Sequence, residues 1–149
     1  MSSLIALGKM KEFSVRHGHY YSVKGVVEKS DGRGKSIGFP TANIKVVAKE
    51  IPFKGVYAVE VKIDDKIYNG VANIGYAPTF NRKEFMAEVH IFDFSADLYG
   101  KTIEMFFIDF LREEKKFCSV DELVNQIKRD CESARKALEQ SILNAPDGI

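Results

Sequence analysis

Residues 56–74, VYAVEVKIDDKIYNGVANI, decide the fold. In the first half Tyr57, Val59, Val61 and Ile63 alternate with Ala58, Glu60 and Lys62, the period of two that marks a β-strand. Asp64-Asp65 supplies a turn and Ile67–Ile74 returns, so the stretch predicts an antiparallel hairpin. Working outward, Pro52 to Gly55 reads as a turn, and Tyr21–Val27 and Ile44–Ala48 as extended segments before it. Downstream, Gly75 to Glu84 reads as an irregular loop containing Pro78 and Asn81. Ala87–Phe94 and Thr102–Leu111 read as two strands around the turn Asp97–Lys101. Short strands at this spacing predict an all-β fold, a closed antiparallel barrel. Helix replaces strand only after Phe117. Ser119 and Glu122 have capping-box spacing. Val120, Leu123, Val124, Ile127, Cys131, Ala134 and Leu138 then mark one helical face, expected to pack on the barrel.

A chain of 149 residues suits one domain with a substantial core. Hydrophobic residues at 45% and charged residues at 29% are ordinary globular values. The net charge is +1, from 22 cations and 21 anions, which argues against nucleic acid or a membrane surface as the main partner. No apolar run reaches the length of a transmembrane helix, and the N-terminus lacks a signal-peptide pattern. Cys118 and Cys131 have neither metal-site nor CxxC spacing, so a reduced, cytoplasmic protein is expected. Residues 1–19 read as an N-terminal extension or linker, with a short amphipathic stretch and the turn His17-Gly18-His19. Residues 20–143 read as the barrel with its helix, and 144–149 as a frayed tail. A monomer is expected.

The chemistry-bearing stretch is DGRGKSIGFPTAN, Asp31 to Asn43. Gly32, Gly34 and Gly38 let backbone N–H groups turn toward a ligand, and Arg33 and Lys35 suit phosphate. Thr41 and Asn43 stand two apart and project from one face of an extended segment. Two neutral oxygen ligands side by side suit a hard cation such as Mg²⁺. The plainer reading is a glycine-rich hairpin loop followed by a capped turn. Gly34-Lys35-Ser36 is not the end of a P-loop, because the first glycine of that motif would fall on Lys29 and Pro40 interrupts the helix that should follow. In AEVHIFDF, alternation places Glu88 and His90 on one face with Phe92 and Phe94, and Asp93 with Val89 and Ile91. A carboxylate on an aromatic face needs a partner if that face is core, and makes sense if the face opens onto a ligand. The simpler alternatives are a surface carboxylate for Glu88, a structural role for His90 and a turn cap for Asp93.

These residues carry a resemblance. GRGKSIGFPTAN resembles the signature of the riboflavin kinase (flavokinase) family, in which a PTAN motif follows a glycine-rich loop. NGVANIGYAPTF (Asn69–Phe80), AEVHIFDF (Ala87–Phe94), LYGK (Leu98–Lys101) and FLREEKKF (Phe110–Phe117) are similar to further family blocks in the same order, together covering roughly residues 20 to 138. The resemblance implies a six-stranded antiparallel Greek-key barrel with a C-terminal helix. It implies Mg²⁺-dependent transfer of the ATP γ-phosphoryl group to the ribityl 5′-hydroxyl of riboflavin, giving FMN and ADP. It assigns Gly32, Arg33, Gly34, Lys35, Gly38, Thr41 and Asn43 to the nucleotide, Thr41 and Asn43 also to the metal, and Glu88 to the general base. Arg112, on a mobile flap, and Asn73, in the wall of the cleft, become candidate substrate contacts. Glu113 stands where many relatives have proline, which implies a less rigid flap. In bacterial relatives this module often follows an adenylyltransferase domain. His17-Gly18-His19 does not have that domain's motif spacing, so the second activity is not expected in this chain. Two other readings stand beside this one. A non-catalytic flavin-binding barrel would not need Thr41, Asn43 and Glu88 together. An oligonucleotide-binding barrel would interleave aromatic and basic residues along a strand, which this chain does not.

Overall fold

Six antiparallel strands close on themselves in the order β1-β2-β5-β4-β3-β6, the expected Greek-key connection. The computed structural model describes residues 4–28, 38–47, 52–75, 84–94 and 97–139. Its elements are α1 (Met10–His17), β1 (Tyr21–Glu28), β2 (Ala42–Val47), β3 (Gly55–Ile63), β4 (Lys66–Gly75), β5 (Glu84–Ile91), β6 (Thr102–Arg112) and α2 (Val120–Glu139). The predicted hairpin is β3–β4, in register from Gly55↔Ile74 to Ile63↔Lys66. Asp64 takes a positive φ of 56° in its turn, a conformation Asp tolerates better than most residues.

The barrel interior is filled by the inward set of each strand, including Val23, Ile44, Val59, Val61, Phe85, Val89, Met105 and Phe107. Tyr57 and Phe107 meet edge to face with ring centroids 5.0 Å apart. Ile5 and Met10 join this core from the N-terminal segment, and α1 packs against β1 and β6. Gly18 ends α1 in the left-handed conformation, its N–H bonded to the Ser14 carbonyl. Outside the wall, Ala134 and Leu138 of α2 cover Val56, Ala58, Val71 and Ile108, so β3 is buried on both faces.

Three expectations need correction. β5 runs from Glu84 to Ile91 and not from Ala87 to Phe94. It starts early because Glu84 already pairs with Val47 and sits 3.7 Å from the Lys45 ammonium. It stops early because Phe92 and Asp93 form a turn, with Asp93 at φ 56°. Phe92 still lies on the outward side with His90, packing in the cluster under α2, whereas Phe94 does not continue that face and packs against the interior cluster. The third correction concerns α2. Its capping box forms, Ser119 Oγ accepting from the Glu122 N–H at 3.2 Å, with Glu122 accepting from the Cys118 N–H at 2.8 Å. Its buried ridge, however, is Gln126, Asp130, Ala134 and Leu138. Val120 is 61% exposed, and Leu123 and Ile127 are only half-buried. The tail 144–149 lies outside the described residues.

Candidate active site

Strand register builds the site. Residues directly opposite one another on neighbouring strands share a face. Glu28 pairs with Asn43, Asn43 with Glu88, Glu88 with Asn73, Asn73 with Val56, and Val56 with Arg112. One residue from each of the six strands thus forms a continuous row around the outside of the barrel. The neighbours Val27, Ile44, Ala87, Val89, Ala72 and Tyr57 point into the core, which fixes the row as outward. Four of the six positions are sequence candidates: Asn43, Glu88, Asn73 and Arg112.

Above the row lies a cleft of about 950 Å³, within the range of small-molecule sites. Thr41, Asn43, Glu88, Asn73 and Arg112 all line it. Its far wall is the segment 113–117 and the first half of α2, through Val120, Leu123 and Ile127. Of the helical face expected on the barrel, Val120, Leu123 and Ile127 roof this space instead, while Ala134 and Leu138 pack on the wall as expected. Gly32, Arg33, Gly34 and Lys35 lie outside the described residues. Gly38 is described and turns at φ 90°, in the left-handed region, ahead of Phe39 and Thr41, which line the cleft.

The Thr41/Asn43 end is rich in acceptors. Among the described residues, Asn43 Oδ1 and the neighbouring Glu28 Oε2 are both buried without a hydrogen-bond partner. A buried oxygen with no donor costs stability unless a ligand meets it, and a hard cation is such a ligand. The donor set therefore fits a divalent cation held by Thr41 and Asn43. Glu28 was not found from sequence, since its strand ends in an ordinary polar residue and only register places it beside Asn43. Among the described residues there is no cluster of three or more His, Cys, Asp or Glu side chains able to hold a metal.

Glu88, exposed in the cleft, is flanked by Asn43 and Asn73, and no described residue donates to its carboxylate. His90, next along the same face, is tied down: Nδ1 lies 2.9 Å from the Pro40 carbonyl. A carbonyl can only accept, so that nitrogen carries the proton. The Phe39 and Phe92 rings meet the imidazole edge to face at 5.5 and 5.7 Å. His90 thus fastens the PTAN segment to β5, the structural role expected of it.

At the other end, Gly55 lets β6 come close. A Cβ there would stand 2.6 Å from the Arg112 carbonyl and 2.7 Å from the Phe110 ring. Arg112 turns its side chain to α2 and makes two parallel bonds to Asp130, Nε to Oδ1 and Nη2 to Oδ2, each 2.8 Å. Asp130, buried on the helix ridge, was read neither as core nor as site, because its partner comes from another element. On the same helix, burial raises the Cys131 thiol above its ordinary value, Asp130 and Glu132 add to this, and Arg135 opposes it. Cys118 and Cys131 are both free.

A family model described as riboflavin kinase matches residues 17–138. The chain is 45% identical over 119 residues to a bifunctional riboflavin kinase/FMN adenylyltransferase of Haemophilus influenzae, covering 79% of this chain and 39% of that protein. It is 41% identical over 131 residues to the Bacillus subtilis protein of the same description, covering 85% and 42%. The chain thus spans about two fifths of the curated relatives it matches. Among solved structures, a Streptococcus pneumoniae protein described as a macrolide-efflux protein superposes with a TM-score of 0.82 at 39% identity, covering 89% of this chain and 44% of that one. Riboflavin kinase from Trypanosoma brucei superposes with a TM-score of 0.58 at 21% identity over 88% of this chain and 93% of that chain, a likeness of fold. No helix among the described residues is long and apolar enough to cross a membrane.

Proposed function

The chain belongs to the riboflavin kinase family, and on that premise we propose that it transfers the γ-phosphoryl group of ATP to the 5′-hydroxyl of riboflavin, releasing FMN and ADP. The observation that carries this reading is the outward row Asn43–Glu88–Asn73–Val56–Arg112 beneath one cleft. It sets an oxygen ligand for a cation next to a carboxylate, with an apolar roof a few strands away. Neighbouring strands are about 4.8 Å apart, so Glu88 and Arg112, three strands apart, are separated by roughly 14 Å of barrel wall. That span suits a long substrate lying across the strands. The ribityl end reaches Glu88, and the isoalloxazine ring lies under Val120, Leu123 and Ile127, near Arg112.

Phosphoryl transfer asks for positioning and charge neutralisation more than for covalent chemistry. Thr41 and Asn43 would hold Mg²⁺, which when bound neutralises polyphosphate charge. Glu88 accepts the hydroxyl proton as the ribityl oxygen bonds to the γ-phosphorus and the bond to the bridging β–γ oxygen breaks. Asn73, beside Glu88, can orient the hydroxyl. The glycine stretch with Arg33 and Lys35 contributes donors and charge for the phosphates. Residues 20–143 carry this activity, with 1–19 as an extension. The adenylyltransferase activity named for the relatives is not assigned to any residue of this cleft, and a further domain for it would belong to a longer parent chain.

The test is direct. The purified chain, given ATP and Mg²⁺, should release ADP in proportion to added riboflavin and form FMN in equal amount. Asn43→Ala should abolish this while leaving the melting temperature nearly unchanged. Riboflavin binding without any ADP release from the parent chain would instead establish a non-catalytic flavin-binding barrel.

A further inference from the structure

We propose that Asp130 is a positioning residue for the flavin end of the cleft: it holds the Arg112 guanidinium in one orientation and, through it, the start of the 113–117 wall. This rests on the kinase reading for the identity of the substrate. The geometry behind it is independent. Arg112 is the last residue of β6, and its side chain is only 22% exposed, against 7% for Asp130. Two parallel N–H···O bonds at 2.8 Å fix the guanidinium plane. Asp130 Oδ1 also accepts from Gln126 Nε2 at 3.0 Å, and Gln126 Oε1 accepts from Arg129 at 3.2 Å, so the carboxylate is itself held.

The pair is poorly explained as a stabilising device. Burying two charges costs about what their attraction returns, and apolar replacements of such pairs are often neutral or stabilising. The ridge that carries Asp130 continues as Ala134 and Leu138, and an apolar side chain would pack there as well as an acid. What the acid supplies is orientation. With Nε and Nη2 engaged, Nη1 donates to the Glu113 carbonyl at 2.9 Å, so the guanidinium also grips the first peptide of the wall segment. Three of its five N–H groups are then used. Arg112 lines the cleft with Phe117, whose ring centroid is 6.0 Å from Cζ. The two N–H groups left over can meet carbonyl oxygens of a planar heterocycle, and only in the plane that Asp130 imposes.

Asp130→Asn keeps the shape but replaces one acceptor oxygen with a donor. Arg112→Lys keeps the charge but loses the fork. Riboflavin affinity, read by quenching of its own fluorescence, should weaken about tenfold or more in each variant. Affinity for a non-hydrolysable Mg–ATP analogue, measured well below the melting temperature, should stay close to the parent's. The melting temperature itself should fall, because each variant leaves a buried charge without its full partner. The double variant should bind riboflavin no worse than the weaker single one, because both changes remove the same contact. Parental riboflavin affinity in both single variants overturns the proposal. So does a parallel loss of riboflavin affinity and nucleotide affinity in protein that is still folded, which would make the pair a general support of the cleft. The readout is binding, so failure here is separate from failure of the kinase reading, which would show as a parent chain that releases no ADP with riboflavin.

Discussion

The two faces of β5 are built from one octapeptide and obey different rules. Inward, Phe85, Ala87, Val89 and Ile91 are all buried in the core. Outward, Glu84 reaches Lys45, His90 fastens Pro40, and Glu88 stands open in the cleft. The inner face is interchangeable with that of any other strand, since volume and apolarity suffice there. The outer face is specified residue by residue, and its meaning depends on which side chains adjacent strands bring beside it. Fold is therefore spread over the interior, while the proposed chemistry is concentrated in a row one residue wide.

The largest effect should come from the outer face. Glu88→Gln removes the proposed proton acceptor and keeps the shape, so turnover should fall roughly 10²–10⁴-fold, measured in a single turnover with saturating riboflavin and Mg–ATP. A loose transition state demands little early proton removal, which favours the lower end of that range. The melting temperature should hardly move, because the side chain is exposed. Parental turnover would reduce Glu88 to a surface carboxylate and erase the distinction between the two faces of β5.

Three residues away on the same strand, Phe85→Ala should do the reverse. Its ring is fully buried in the barrel, and truncation should cost about 3–5 kcal/mol of stability. The folded fraction should keep near-parental turnover, assayed well below the lowered melting temperature. A specific loss of turnover in protein still folded would mean that the interior helps to shape the row.

This division explains what was legible in the sequence. Period-two alternation reports which side chains face inward, so all six strands and the closed barrel could be read from it, and the ordered family blocks pointed to Thr41, Asn43 and Glu88. The row itself could not be read, because register between β2, β5 and β4 is long-range: Glu28 gains interest only once it pairs with Asn43. The end of β5 was missed because Asp93 turns with a positive φ inside an apolar run. On α2, apolar spacing correctly pointed to Ala134 and Leu138 but also to Val120, Leu123 and Ile127, and it missed Gln126 and Asp130, which complete the buried ridge. A hydrophobic pattern scores Asp130 as solvent-facing. Only the partner Arg112, delivered by β6, makes its burial tolerable.

The smallest expected effect tests whether every polar residue on the outside of the wall belongs to the site. Asp109 shares the outer face of β6, opposite Ala58, but does not line the cleft. Burial pushes its carboxyl above the ordinary value of 3.8, while Lys11 and a backbone bond from Phe110 pull it down less strongly. The folded chain therefore holds this proton more tightly than the unfolded chain. At pH values below both pKa values the group contributes nothing. As pH rises through the window between the unfolded and the folded value, the unfolded state gives up its proton first, and stability falls. Above that window the cost is complete, so at neutral pH Asp109 works against the fold. Asp109→Asn should thus melt slightly higher than the parent at pH 7, a gain that solvent screening of a half-exposed group keeps under about 1 kcal/mol. The difference should shrink as the pH is lowered toward 4, and riboflavin-dependent turnover should be unchanged throughout. A variant that melts lower than the parent at pH 7 would show that the attraction to Lys11 outweighs burial. A variant with normal melting but impaired turnover would extend the functional surface beyond the cleft, and the outer face of the barrel would have to be read as one continuous site.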